Sequence, residues 1–111
     1  MLITTDDSAV LKALTEAIAR NAKPWLCMII GTTGSSPRPV GTLLAVTSDG
    51  LQTGSLSGGC VEEDLVARLM AGEFNSRAVQ IIEYGVSAED NMRWGLPCGG
   101  RLKLAVQQLD D

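Results

Sequence analysis

The chain has 111 residues, 45% of them hydrophobic, which is enough to bury one core of ordinary size and predicts a single domain over 1–111. Nine basic against 13 acidic residues give a net charge of −4, excluding the basic footprint of a nucleic-acid or anionic-membrane binder. Histidine is absent, so Ser-His-Asp and Cys-His nucleophile systems and His-ligated metal sites are excluded; the odd set Cys27, Cys60 and Cys98, with no Cys-x-x-Cys pair, argues against a disulfide framework and a zinc ribbon.

Thr5, Asp6, Asp7 and Ser8 supply capping side chains, and Val10, Leu11, Leu14 and Ile18 recur at helical spacing, predicting a first helix that ends near Asn21, ahead of Pro24. Trp25 to Ile30 is an almost unbroken apolar run bounded by Pro24 and Gly31. Such a run predicts a central strand covered on both faces, with Cys27 as part of the core. Residues 31–41 then hold three glycines, two prolines and several hydroxyls, Ser35 and Ser36 among them. Arg38, the one charge in this loop, sits between two prolines, where its guanidinium suits a bidentate contact to a carboxylate or phosphate; a solvated surface arginine is the plain alternative. No phosphate-binding fingerprint of the Gly-Lys-Ser/Thr or Gly-x-Gly-x-x-Gly kind occurs.

Thr42–Thr47 and Leu51–Leu56 read as a hairpin turned at Ser48-Asp49-Gly50. The second of these strands runs into Ser57-Gly58-Gly59-Cys60-Val61-Glu62, where strand, tight turn and helix start follow one another. Gly58 and Gly59 leave backbone N–H groups uncovered at a helix N-terminus, a ready anion site, and Cys60 falls at or beside the first helical position, where a thiolate is favoured. Glu62, Glu63 and Asp64 complement the helix dipole and oppose a thiolate, and Glu62 is a candidate ligand-side group. Alternatively Cys60 is a small residue that packs the helix on the sheet.

Val61, Leu65 and Leu69 form the apolar row of this second helix, and Gly72 is placed to end it. Val79–Tyr84 predicts a strand reached by a right-handed parallel crossover, followed by a long aperiodic loop from Gly85 to Gly100 and a last strand over Leu102–Val106. The long loop carries a second glycine-flanked cysteine, Cys98-Gly99-Gly100, and the apolar residues Met92, Trp94 and Leu96, candidates for contact with a partner or for a small satellite core. The predicted fold is α/β: one small domain with a mixed sheet of about five strands and two main helices.

Three ordered motifs, Ser36-Pro37-Arg38 with Gly41, Gly54 to Glu62, and Cys98-Gly99-Gly100, resemble the XdhC/CoxI family of molybdenum-hydroxylase maturation factors, over nearly the whole chain from the first strand onward. The resemblance implies a cofactor-binding chaperone that holds molybdenum cofactor as cargo during its sulfuration and insertion into xanthine dehydrogenase or a related hydroxylase. It implies cofactor contacts from Ser35, Ser36, Arg38, Ser57, Gly58, Gly59, Cys60, Glu62, Cys98, Gly99 and Gly100, with Cys60 near the molybdenum and Cys60 and Cys98 as candidate chemical groups.

Many family members continue into a Rossmann-like second domain, which is not expected within these 111 residues. Implied partners are a molybdenum hydroxylase, a sulfur donor such as a cysteine desulfurase, a second copy of the chain and a separate Rossmann-like subunit. Two other functions fit the residues: a thiol enzyme transferring sulfur through Cys60, and a non-catalytic interaction module. With no apolar run of membrane-spanning length and no signal-peptide pattern, a cytoplasmic location is expected.

Overall fold

A computed structural model describes residues 5–33, 39–56, 60–84 and 101–109. The first helix, α1 (Thr5–Ala19), buries Val10, Leu14 and Ala17 at the expected helical spacing. It ends in a left-handed residue, Asn21 at φ 60°; the Asn21 N–H donates to the Ile18 carbonyl and the Ala22 N–H to the Ala17 carbonyl, which satisfies the last turn. Strand β1 (Trp25–Thr33) follows, then β2 (Leu43–Val46) and β3 (Gln52–Gly54). Their hairpin is closed by Gly50 at φ 87° and by the Thr47 hydroxyl, which donates to the Asp49 carboxylate and accepts from the Leu51 N–H.

Helix α2 (Cys60–Met70) starts at the cysteine and ends in the same way as α1. Gly72, at φ 85°, donates to the Leu69 carbonyl and Glu73 to the Arg68 carbonyl. Strands β4 (Gln80–Tyr84) and β5 (Arg101–Gln108) complete the chain.

The five strands form one sheet in the order β3-β2-β1-β5-β4, with β1 central as its apolar run predicts. Every pairing is antiparallel, which corrects the expected mixed sheet and its parallel crossover. The strands joined by α2 do run in the same direction, but β3 and β4 lie on opposite edges with three strands between them, so they never pair. Antiparallel β5 fills the slot beside β1 that a crossover strand would have taken.

Alternation along the strands separates two cores. Trp25, Cys27, Ile29, Leu44, Val46, Leu104 and Val106 face α2, whose Val61, Leu65 and Leu69 close the larger core. Val10 and Leu14 of α1 pack on the opposite face over Ala45, Leu43 and Leu26. Thus β1 is not fully covered on both faces: α1 lies over the β2 and β3 half, and Met28 is left 36% exposed. Trp25 anchors the far end of α2, its indole N–H donating to the Phe74 carbonyl at 3.0 Å.

Candidate functional site

The described strand ends flank the sequence motifs. β1 ends at Thr33 just before residues 34–38, β3 ends at Gly54 before residues 57–59, and β4 ends at Tyr84 where β5 begins with Arg101 on the other side of residues 85–100. Strands β1, β3 and β4 run in one direction and β5 opposes them; Thr33 pairs with Arg101 and Tyr84 with Leu102, so β1 and β4 end beside the start of β5, whereas Gly54 pairs with Leu44 and through it lies level with Cys27, near the start of β1. Helix α2 runs the opposite way. It starts near the end of β3 and reaches Phe74 beside Trp25, the first residue of β1. Its N-terminus, the positive end of its dipole, therefore lies toward the end of β4, where the Tyr84 hydroxyl reaches Asp64.

Local geometry explains why the chain arrives there. Gly54 has φ 94°, and a Cβ on it would lie 2.5 Å from the Leu43 carbonyl oxygen and 3.0 Å from a methyl of Val10, so only glycine lets β3 end against β2 and α1. On β1, Ile29 pairs with Leu104 and Gly31 with Lys103, leaving Ile30 as an extra residue. This bulge shifts the last residues of β1 just before the segment that carries Arg38.

Cys60 is the first residue of α2, as the turn predicts. Its side chain, and Ser35, Ser36, Arg38, Ser57, Gly58, Gly59, Cys98, Gly99 and Gly100, lie outside the described residues, as do Met92, Trp94 and Leu96. Glu62 is described. It is 6% exposed, and its carboxylate accepts a 3.1 Å hydrogen bond from the Ser55 hydroxyl. Cys27 lies in the core as expected, and burial pushes its thiol up to about 12.

Sequence reasoning missed a second contact of the same helical turn. The Tyr84 hydroxyl donates to Asp64 at 2.6 Å, while Arg68, one turn along α2, also bonds the phenol. Burial first, and then the Asp64 carboxylate, raise the Tyr84 phenol above its ordinary range. The available signal was a lone tyrosine as the last apolar position of a strand, immediately before a glycine. Among the described residues, no group of three or more Cys, Asp or Glu side chains is placed to hold a metal ion, and no helix is long and apolar enough to cross a membrane.

Residues 17–85 match the XdhC and CoxI family. The chain belongs to that family. This XdhC/CoxI chain is 36% identical over 75 residues to a probable xanthine dehydrogenase subunit of Bacillus subtilis (strain 168), covering 67% of this chain and 22% of that protein. It is 30% identical over 112 aligned positions to the molybdenum cofactor insertion chaperone PaoD of Escherichia coli (strain K12), covering 96% of this chain and 33% of that protein. Among solved structures, a xanthine dehydrogenase from Bacillus halodurans superposes with a TM-score of 0.69 at 28% identity, over 92% of this chain and 31% of that one. The chain thus spans a third or less of the length of each of these relatives.

Proposed function

We propose that this domain binds molybdenum cofactor as cargo and serves its maturation and insertion into a molybdenum hydroxylase of the xanthine dehydrogenase type. Membership of the XdhC and CoxI family and the likeness to an insertion chaperone support the role. The structural observation that carries it is the position of the α2 N-terminus, bonded to Ser55 just after β3 and to Tyr84 at the end of β4, which pairs with the start of β5. A helix N-terminus preceded by two glycines suits the anionic phosphate of a molybdopterin, and a soft molybdenum–sulfur centre suits thiolate groups.

In this proposal Ser57, Gly58 and Gly59 hold the phosphate together with Arg38, Ser35 and Ser36, and Cys60 and Cys98 with Gly99 and Gly100 attend the metal end of the cargo. Sulfuration draws on a sulfur donor such as a cysteine desulfurase. A domain of this size leaves a ligand of pterin dimensions open on one side, so a second copy, a separate Rossmann-like subunit or the receiving hydroxylase covers it.

The test is retention. The purified chain is mixed with molybdenum cofactor released from a molybdoenzyme, and the molybdenum and pterin that co-elute with it are counted before transfer to an apo-hydroxylase is assayed. One cofactor per site and recovery of hydroxylase activity are expected. Loss of both from folded protein overturns the proposal, and turnover of sulfur through Cys60 without retained cofactor favours the sulfur-transfer enzyme instead.

A further inference from the structure

The start of α2 carries three acids, Glu62 and Glu63 in its first turn and Asp64 just after, two of which are engaged by side chains from opposite edges of the sheet. Glu62, 6% exposed, accepts from Ser55, the residue that follows β3 at one edge; Asp64 accepts from Tyr84, the last residue of β4 at the other edge. Dipole complementarity asks only for negative charge near a helix N-terminus and is satisfied by an exposed acid such as Glu63. Burying the Glu62 carboxylate costs desolvation, which a hydrogen bond to a hydroxyl offsets, so its placement calls for a further role.

We propose that Ser55–Glu62 and Tyr84–Asp64 form a two-point tether that fixes the start of α2 between the ends of β3 and β4, making these four side chains positioning residues for the turn at 57–60 and not ligands of the cargo. Ser55 and Glu62 bracket that turn, seven residues apart, so their 3.1 Å bond closes the loop that contains it. Tyr84 precedes the segment that carries Cys98, so the second bond holds the origin of that segment against the same helical turn. Arg68 steadies the phenol from one turn further on, and is itself fixed by Glu73 at 3.1 Å and by the Phe74 ring, 4.9 Å from its centre. An anion cradle works by having its N–H groups aimed before the ligand arrives, and a helix start frays unless something holds it. As a positioning device for the proposed cargo site, the tether rests on the functional reading above; as a mechanical device it does not.

Hydrogen exchange of the full chain separates the two. Ser55→Ala and Tyr84→Phe each remove one donor while keeping the packing, and Ser55→Thr keeps the hydroxyl. In Ser55→Ala the amides of Glu63 to Val66, which bond within the first turns, are expected to exchange about tenfold faster. Those of Leu69 and Met70, in the last turn of α2, and those of β1 serve as the internal control and stay unchanged. Ser55→Thr restores protection, and Tyr84→Phe repeats the local loosening. Retention of molybdenum cofactor by Ser55→Ala is expected to fall about three- to tenfold and to recover in Ser55→Thr. Unchanged exchange at 63–66, or acceleration spread equally over the control amides, overturns the tether. Local loosening with undiminished retention overturns the positioning role. A wild-type chain that retains no cofactor defeats the functional reading, while the exchange data still decide whether the tether holds the helix.

Discussion

The Trp25 indole N–H donates to the Phe74 carbonyl at 3.0 Å inside the larger core, joining the first residue of the central strand to the segment just after α2. The carbonyl has left the helix and has no ladder partner of its own, so the indole satisfies a buried acceptor that the fold creates. Trp25→Phe keeps an aromatic ring but strands that acceptor and leaves space beside it. A loss of ~2 to 4 kcal/mol in urea unfolding is expected, combining an unsatisfied buried carbonyl with a cavity. A loss below ~1 kcal/mol would show that the carbonyl finds water.

Gly54 and Gly50 test space against conformation. Both have positive φ, but a Cβ on Gly50 meets nothing within 4 Å, whereas on Gly54 it meets the Leu43 carbonyl oxygen at 2.5 Å. Gly50→Ala should cost ~1 to 2 kcal/mol from backbone strain alone. Gly54→Ala must also push β3 off β2, and should cost more than Gly50→Ala by at least ~1 kcal/mol. Equal midpoints for the two variants in denaturant would contradict the close approach.

Cys27 ties a pH dependence to the core. Its thiol stays protonated in the folded chain up to about 12, whereas in the unfolded chain it ionises from its ordinary value of 9.0. Below pH 9 both states hold the proton and stability is unaffected. From pH 9 to about 12 the unfolded state releases a proton that the folded state keeps, so this group lowers stability as pH rises, at ~1.4 kcal/mol per pH unit at most. Cys27→Ala should flatten the fall of wild-type stability across this window. An identical slope in the variant would place the thiol in contact with water.

Order along the chain was legible because periodicity and breakers are local: the apolar run from Trp25, the helix start at Cys60 and the stop at Gly72 sit where β1 begins and where α2 begins and ends. Pairing was not. The same apolar alternation serves parallel and antiparallel neighbours, and nothing local in Arg101–Gln108 says that it inserts between β1 and β4. Full coverage of Trp25–Ile30 was over-read for a related reason: Leu26, Met28 and Ile30 are apolar, yet α1 spans only the neighbouring strands, leaving Met28 and Ile81 partly exposed on the open half of that face. Of the site, the start of α2 at Cys60 was readable from its glycines. The bonds from Ser55 and Tyr84 were not, since an acid in a helix's first turn already has a sufficient local explanation in the dipole.

Arg38 carries the most direct test of the proposed cargo site. It belongs to the segment between Thr33, where β1 ends after its bulge beside Arg101, and Pro39. A guanidinium paired with a phosphate is a charge-assisted, two-pronged contact worth more than a neutral hydrogen bond, and a lysine supplies the charge without the fork. Arg38→Ala should weaken retention of molybdenum cofactor by ~1.5 to 3 kcal/mol, about ten- to 150-fold, with little change in urea midpoint. Arg38→Lys should fall between wild type and alanine. Added inorganic phosphate should compete for the wild-type site and lose most of its effect in Arg38→Ala, which distinguishes phosphate recognition from a general loss of charge. If the alanine variant is folded and retains cofactor as well as wild type does, the arginine is a surface charge, and the phosphate end of the cargo is held by the α2 N-terminus without it.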